Sequence, residues 1–386
     1  MSISSRNINN SVNENSDDFQ AVLMSEIELK LQCKVSSIKK FDNKYWTSNS
    51  LYIICSNIWK FFVKVFCKNK GEEFYWYEQI SQHVPTIGLQ VRFMIRESEI
   101  LIYEYFESET MVDLVLGAEG LFWERIEKIL EYEKKKNDWL KKMYTSTKWK
   151  ITWREYLDQP VNRLFMEKLT WEVFDQYYSS QNPIAQLLKK KITLNGIKFP
   201  RTWDQILQDL KEKAKRINPN EVIDSVYWHW DIHHFNVLIW KTGEIKVIDF
   251  EYASLLPINM EMAKPYYIDL IGVLFFFFQD ILDAKFSLDK SVDTDADLNL
   301  EITYHGWLEH RIAITKEKIG TFSSLLNWSK DFFSFNDYVV MAHVFSHNPN
   351  NYSEFSQLLF AVFLQLLDNS NLFYPEKIFR QFQKPS

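Results

Sequence analysis

Residues 236–240 (NVLIW) and 245–251 (IKVIDFE) are two strand-like runs joined by a turn at Thr242-Gly243. Apolar runs around a Gly-containing turn predict a β-hairpin. A hairpin returns the chain to its starting point. Asp249, thirteen residues after Asn236, is therefore predicted to come back beside Asn236. The polar segment leading in, His229-Trp230-Asp231-Ile232-His233-His234-Phe235-Asn236, adds a second carboxylate at the same end. Any fold this chain adopts has to accommodate Asp231, Asn236 and Asp249 together.

That trio suits one kind of chemistry. Transfer of a γ-phosphoryl group needs a carboxylate that orients the acceptor hydroxyl and receives its proton. It also needs hard oxygen ligands for magnesium, which binds through few protein groups and keeps contact with the substrate phosphates. A loop offering Asp and then Asn, with a hairpin returning a second Asp, supplies both. The histidines beside Asp231 also suggest an HxxxH metal site. That needs two ligands one helical turn apart, whereas the flanks here are strand-like.

Upstream, residues 35–106 read as short aromatic and β-branched strands: SLYIICSN, WKFFVKVF, LQVRFMIRE and EILIYEYF, with a first strand from Val35. A helix over 71–83 interrupts them, and another is predicted from Asp17 or Asp18 to about Cys33, with Phe19, Val22, Leu23, Ile27 and Leu31 on one stripe. This order predicts a small antiparallel sheet packed on a helix. After Ser108 the pattern is mainly helical, with one helix over 121–143 and one opened by a capping box at Thr202 and Gln205. The charge run EYEKKKNDWLKK (131–142) reads as a solvated helix face, and beyond Tyr266 the chain reads as helical to its end.

Composition narrows the partners. Lys plus Arg number 45 and Asp plus Glu 51, a net charge of −6, which lacks the basic excess of a general nucleic-acid binder. Three cysteines, Cys33, Cys55 and Cys67, without a CxxC spacing fit a reducing cytoplasm. The Ser/Asn-rich segment 1–16 has no apolar h-region and reads as a disordered tail. The apolar runs 270–278 and 358–367 are too short for a membrane span and read as buried helices. The abundant aromatics, Phe 30, Tyr 19 and Trp 14, read as core.

The pattern HxDxHxxN followed by IDFE resembles the aminoglycoside phosphotransferase and choline/ethanolamine kinase superfamily, whose loop commonly reads HGDLHPGN and whose metal motif reads IDFE or IDWE. The resemblance implies an α+β, protein-kinase-like two-lobed fold. Residues 17–107 would be the nucleotide-binding N-lobe with an antiparallel sheet. Residues 108–386 would be a mainly helical C-lobe carrying the catalytic loop and the acceptor site. It implies Asp231 as catalytic base, His229 as the loop's brace, and Asn236 and Asp249 as Mg2+ ligands. Lys64 would hold the phosphates of ATP or GTP and Glu73, with Glu72 the less favoured neighbour, would hold Lys64. Tyr77 and Ile80 match the apolar positions after that glutamate.

By the same resemblance, backbone near Glu104 to Phe106 would meet the base, and Ser48, Asn49 and Ser50 would serve the phosphate-covering loop. Asp269 would be structural. The chain departs from the pattern in having no glycine around Ser48, and in placing Trp230 and Phe235 where the loop usually has glycine. Glu251 reads equally as a ligand contact or as solvent-facing. The implied activity is phosphoryl transfer to a hydroxyl of a small molecule, whether choline, ethanolamine, an amino sugar or another sugar-like acceptor. A catalytically silent pseudokinase that acts as a binding module, or a protein Ser/Thr kinase, are the alternatives.

Overall fold

The computed structural model describes residues 17–41, 50–65, 72–83, 91–95, 100–111, 113–114, 123–159, 189–229, 231–240, 242–250, 253–267, 286–291, 297–304, 309–326, 333–345, 362, 365–368 and 377. Segment 1–16, Ser48, Asn49, Cys67, Trp230, Glu251, Asp269 and the run 270–278 lie outside the described residues. Two compact units result. One combines Met1–Met111 with Phe235–Ala253, and the other combines Val112–His234 with Ser254–Ser386.

In the first unit, strands β1 (Val35–Lys40), β2 (Ser50–Ser56), β3 (Lys60–Val65), β4 (Val91–Ile95) and β5 (Ile100–Glu104) form one antiparallel sheet in the order β1-β2-β3-β5-β4. Helix α1 (Asp17–Leu31) lays Phe19, Leu23 and Ile27, spaced one turn apart, into a core with Tyr52, Ile54, Phe61, Val63, Val65, Ile100 and Ile102. Side chains of a strand alternate between faces. Phe62 and Lys64 therefore lie on the opposite face from Phe61, Val63 and Val65. There they register against Tyr103 and Leu101, which gather Phe62, Phe106 and Ile248 into a second cluster. Helix α2 (Glu72–His83) follows β3. Strand β6 (Ser108–Thr110) pairs with β11 (Val237–Trp240), which pairs with β12 (Ile245–Val247). The expected hairpin is thus present, with Gly243 at φ 79°, a left-handed conformation that glycine adopts without Cβ strain.

The second unit is helix-rich. Helix α3 (Trp123–Ser146) leads into β7 (Trp149–Thr152) and α4 (Trp153–Leu157). Helix α5 (Trp203–Lys215) opens on the expected capping box, the Thr202 hydroxyl accepting from Gln205 N–H and the Gln205 side chain accepting from Thr202 N–H. Its apolar stripe, Trp203, Ile206, Leu207, Leu210 and Ala214, is buried. Strand β10 (Val222–Trp228) sits between β7 and β13 (Ser254–Pro257), and α6 (Ile258–Tyr267) continues from β13. Helices α7 (Glu309–Leu326) and α8 (Phe335–Phe345) complete the long elements, with α7 packing on α3 and α8 on α6.

Two sequence expectations are corrected here. The chain beyond Tyr266 is not all helix. Strands β14 (Phe286–Ser291) and β15 (Asp297–Tyr304) form a hairpin, and β15 pairs in parallel with β8 (Lys191–Leu194), itself paired with β9 (Ile197–Lys198). The cause is visible in DLNLEITY, where buried Leu298 and Leu300 alternate with polar residues at the strand period. The charge run at 131–142 is a solvated face only in part: Glu131, Lys134, Lys135, Asp138, Lys141 and Lys142 are exposed, but Glu133, Lys136 and Asn137 are wholly buried. These three share the stripe of Ile129, Leu140 and Met143, at spacings of three and four residues.

Gln365, which interrupts the last apolar run, has a structural task. Its Oε1 accepts from Ile192 N–H at 3.2 Å and its Nε2 donates to Lys190 C=O at 3.2 Å. A buried amide that satisfies both backbone groups costs little to bury. No helix among the described residues is long and apolar enough to cross a membrane. An N-terminal five-stranded antiparallel sheet followed by a helix-rich region is the α+β arrangement that the sequence pattern anticipated.

Candidate active site

The first unit brings three charged groups to one point. Lys64 Nζ lies 2.7 Å from Glu73 Oε2 and 2.7 Å from Asp249 Oδ1. Strand β3 presents Lys64 on the face it shares with Tyr103, and the lysine is 6% exposed. A lysine this deep needs a counter-charge. Glu73, the second residue of α2, supplies it from a fully buried position. The Tyr103 hydroxyl donates to Glu73 Oε1 at 2.6 Å, and Phe250 N–H donates to the same oxygen at 3.3 Å. Glu73 therefore ties β3, β5 and the segment after β12 together.

Burial pushes the Glu73 carboxyl above its usual value; Lys64 pulls it back, and Asp249 raises it further. Burial together with the Glu73 charge and hydrogen bond holds the Tyr103 hydroxyl well above the usual phenol range. Asp249 is the more open member, its side chain 29% exposed. Its backbone is left-handed, φ 70°, a region that Asp tolerates better than most residues. The turn of the chain at Asp249 lets Ile248 pack with Leu101 and Tyr103 while the Asp249 carboxylate reaches Lys64.

Asn236 is beside this group through the hairpin. Val237 registers with Val247, and Ile248 N–H donates to Asn236 C=O at 3.1 Å. Asn236 is buried, at the end of a 3-10 turn over His234–Asn236. An amide oxygen and a partly exposed carboxylate on adjacent strand ends suit a hard, oxygen-seeking cation that takes its remaining ligands from water and phosphate. No group of three or more His, Cys, Asp or Glu able to hold a metal occurs among the described residues. One amide oxygen beside one open carboxylate is a donor set that fits magnesium shared with a phosphate chain.

The Asp231 segment belongs to the second unit. Asp231 N–H donates to His229 Nδ1 at 3.3 Å, Asp231 C=O accepts from His233 N–H at 2.9 Å, and His233 Nε2 lies 3.3 Å from Asp231 Oδ1. His229 is fully buried, whereas the Asp231 side chain keeps 15% of its surface. His229 directly follows β10 and its ring accepts from the Asp231 backbone, while the Asp231 side chain keeps an exposed edge. On the far side His234 Nε2 stands 2.9 Å from Glu133 Oε2.

The other expected residues are placed as follows. Ser50 opens β2 across from Val65 and is buried, so it lies in the sheet and not in a loop. Glu104 ends β5 with its carboxylate on Arg92 at 3.1 Å, half-exposed. The Phe106 ring is 5.1 Å from that of Trp240. The Tyr77 ring packs edge-on against Phe250 at 5.6 Å, and Ile80 is buried. Sequence reasoning missed Tyr103, whose position one residue before Glu104 was its only signal, and the Glu133 contact.

No family model matches the chain, and no curated protein matches it either. Solved structures do. Choline kinase LicA from Streptococcus pneumoniae is 12% identical with a TM-score of 0.45, over 95% of this chain and 98% of that one. A Plasmodium vivax ethanolamine kinase is 14% identical with a TM-score of 0.45, over 88% and 84%. Aminoglycoside phosphotransferase APH(4)-Ia is 12% identical with a TM-score of 0.48, over 94% and 99%. Identities of 12–14% with TM-scores below 0.5 carry no argument about this chain, and the site geometry above bears the weight of a functional reading.

Proposed function

We propose that this chain is a magnesium- and nucleotide-dependent phosphotransferase that moves the γ-phosphoryl group of ATP or GTP to a hydroxyl of a small molecule. The carrying observation is Lys64 held at 2.7 Å by both Glu73 and Asp249. A buried lysine fixed by a buried glutamate is a preset cation for a phosphate chain, and Asp249 next to it is open enough to take a metal. Asn236 and Asp249 would hold Mg2+, which would neutralise charge on the triphosphate when bound. Asp231 would accept the hydrogen bond of the acceptor hydroxyl and take its proton, with His229 fixing the backbone around it. Positioning and charge stabilisation would supply most of the rate, since phosphoryl transfer asks for no covalent intermediate here.

Nucleotide-dependent thermal shift and hydrolysis, with and without magnesium, test the reading on wild type and Asp249→Ala. Wild type is expected to be stabilised by Mg–ATP or Mg–GTP and to hydrolyse it slowly, and Asp249→Ala to lose both. Absence of any Mg–nucleotide stabilisation in wild type would replace the enzyme with a binding module. A screen of choline, ethanolamine and amino sugars with labelled nucleotide then identifies the acceptor. Label appearing only on protein would move the assignment to a protein kinase.

A further inference from the structure

Four ionisable side chains outside the proposed site are buried together in the second unit. Glu133 and Lys136, on α3, are fully buried; His234 is 1% and Lys318, on α7, 4% exposed. Glu133 Oε2 contacts Lys136 Nζ at 2.9 Å and His234 Nε2 at 2.9 Å, and Glu133 Oε1 lies 3.4 Å from Lys318 Nζ. Burial alone would raise the Glu133 carboxyl, but the two lysines and the histidine hold it well below the usual carboxylate range. An ionised carboxylate only accepts, so His234 Nε2 is the hydrogen-bearing nitrogen.

Such a cluster is a poor device for stability, because apolar side chains of equal volume stabilise a core at least as well. What it supplies that apolar packing cannot is direction. Glu133 holds one ring nitrogen of a residue three positions after Asp231, from a 24-residue helix. The loop is thereby gripped at both ends, by His229 accepting from Asp231 N–H and by Glu133 accepting from His234. The two lysines keep the carboxylate charged and in place.

We propose that Glu133 is a positioning residue that fixes the Asp231 loop through His234, with Lys136 and Lys318 packed against its carboxylate. The proposal rests on the phosphotransferase reading for its effect on rate, but its physical core is separately measurable. Glu133→Gln, His234→Gln and the double variant are compared with wild type by hydrogen exchange and by Mg–ATP hydrolysis. In Glu133→Gln, amides of 229–234 are expected to exchange faster while those of α5 hold their wild-type rates. A loop misplaced by about 1 Å lowers kcat on the order of 10- to 100-fold, with KM for Mg–ATP within about twofold because the nucleotide anchor is Lys64. Because both substitutions cut one link, the double variant should be no worse than the worse single one.

Unchanged exchange in the loop, loosening spread evenly over α3, α5 and β10, or multiplying effects in the double variant would each overturn the proposal. If Glu133→Gln does not fold, His234→Gln leaves Glu133 its two lysines, and its exchange pattern decides the matter alone. If wild type neither binds nor hydrolyses Mg–nucleotide, the phosphotransferase reading fails, and the exchange data still show whether Glu133 holds the loop.

Discussion

Glu73 and Glu133 are both fully buried and both hydrogen-bonded to a lysine, yet their carboxyl groups are driven in opposite directions. Glu73 shares its one lysine with a second carboxylate, Asp249, so burial wins and its proton affinity rises. Glu133 stands against two lysines and a histidine, so attraction wins and its proton affinity falls. The lesson concerns purpose. Glu73 and Asp249 share one lysine between two carboxylates, which suits a place that gains a cation with its ligand. The Glu133 cluster is already balanced, which suits a fixed support.

The largest effect that could break this comparison is catalytic. Lys64→Met should abolish Mg–nucleotide hydrolysis and the associated thermal shift, whereas Lys136→Met should preserve the thermal shift. Equal loss in both would erase the distinction between anchor and support. Next comes stability, read by urea unfolding. Glu133→Ala removes a buried counter-charge from Lys136 and Lys318 and should cost about 3–5 kcal/mol. Glu73→Gln keeps a hydrogen-bonding side chain, leaves Lys64 with Asp249, and should cost about 1 kcal/mol.

The pH dependence sharpens the contrast further. Glu133 has a folded proton affinity below its unfolded one, so its contribution is present above the unfolded value of about 4.3 and is lost as pH falls below it. Glu73 has a raised folded value, so its contribution is fully present below about pH 4.3 and is lost as pH rises through the folded value. Unfolding free energies against pH for wild type, Glu133→Gln and Glu73→Gln should therefore diverge in opposite senses. Parallel curves would sink the electrostatic assignment.

The smallest effect tests the helix that delivers Lys318. Gly320 lies within α7 with open space where a Cβ would stand, so Gly320→Ala should stabilise by roughly 0.5–1 kcal/mol. It should leave the Glu133 pH profile unchanged, as followed by the same urea titration.

Much of the first unit was readable along the chain. Strand alternation, the helix at Glu72–His83 and the hairpin around Gly243 are local patterns, each governed by a periodicity or a turn preference that neighbouring residues carry. Asn236 next to Asp249 followed from the hairpin register alone. The Lys64–Glu73 pairing was suggested by order and a resemblance. Its geometry, with Tyr103 and Phe250 closing around Glu73, depended on strands far apart in sequence. The β14–β15 hairpin was missed although its alternation is present, because flanking apolar runs favour a helical reading.

The residues at 131–142 mark where sequence stopped being sufficient. Their charges specified a helix equally well exposed or buried, since helix formation depends on backbone propensity and not on which side faces water. Which side is buried was decided by α7 and the Asp231–His234 segment arriving with Lys318 and His234 to neutralise Glu133. The chain by itself determined the elements, the hairpin and the residue types available for chemistry, because those are local. Only the tertiary structure decided which charges lost their water, and therefore which carboxyl is pushed up and which is held down.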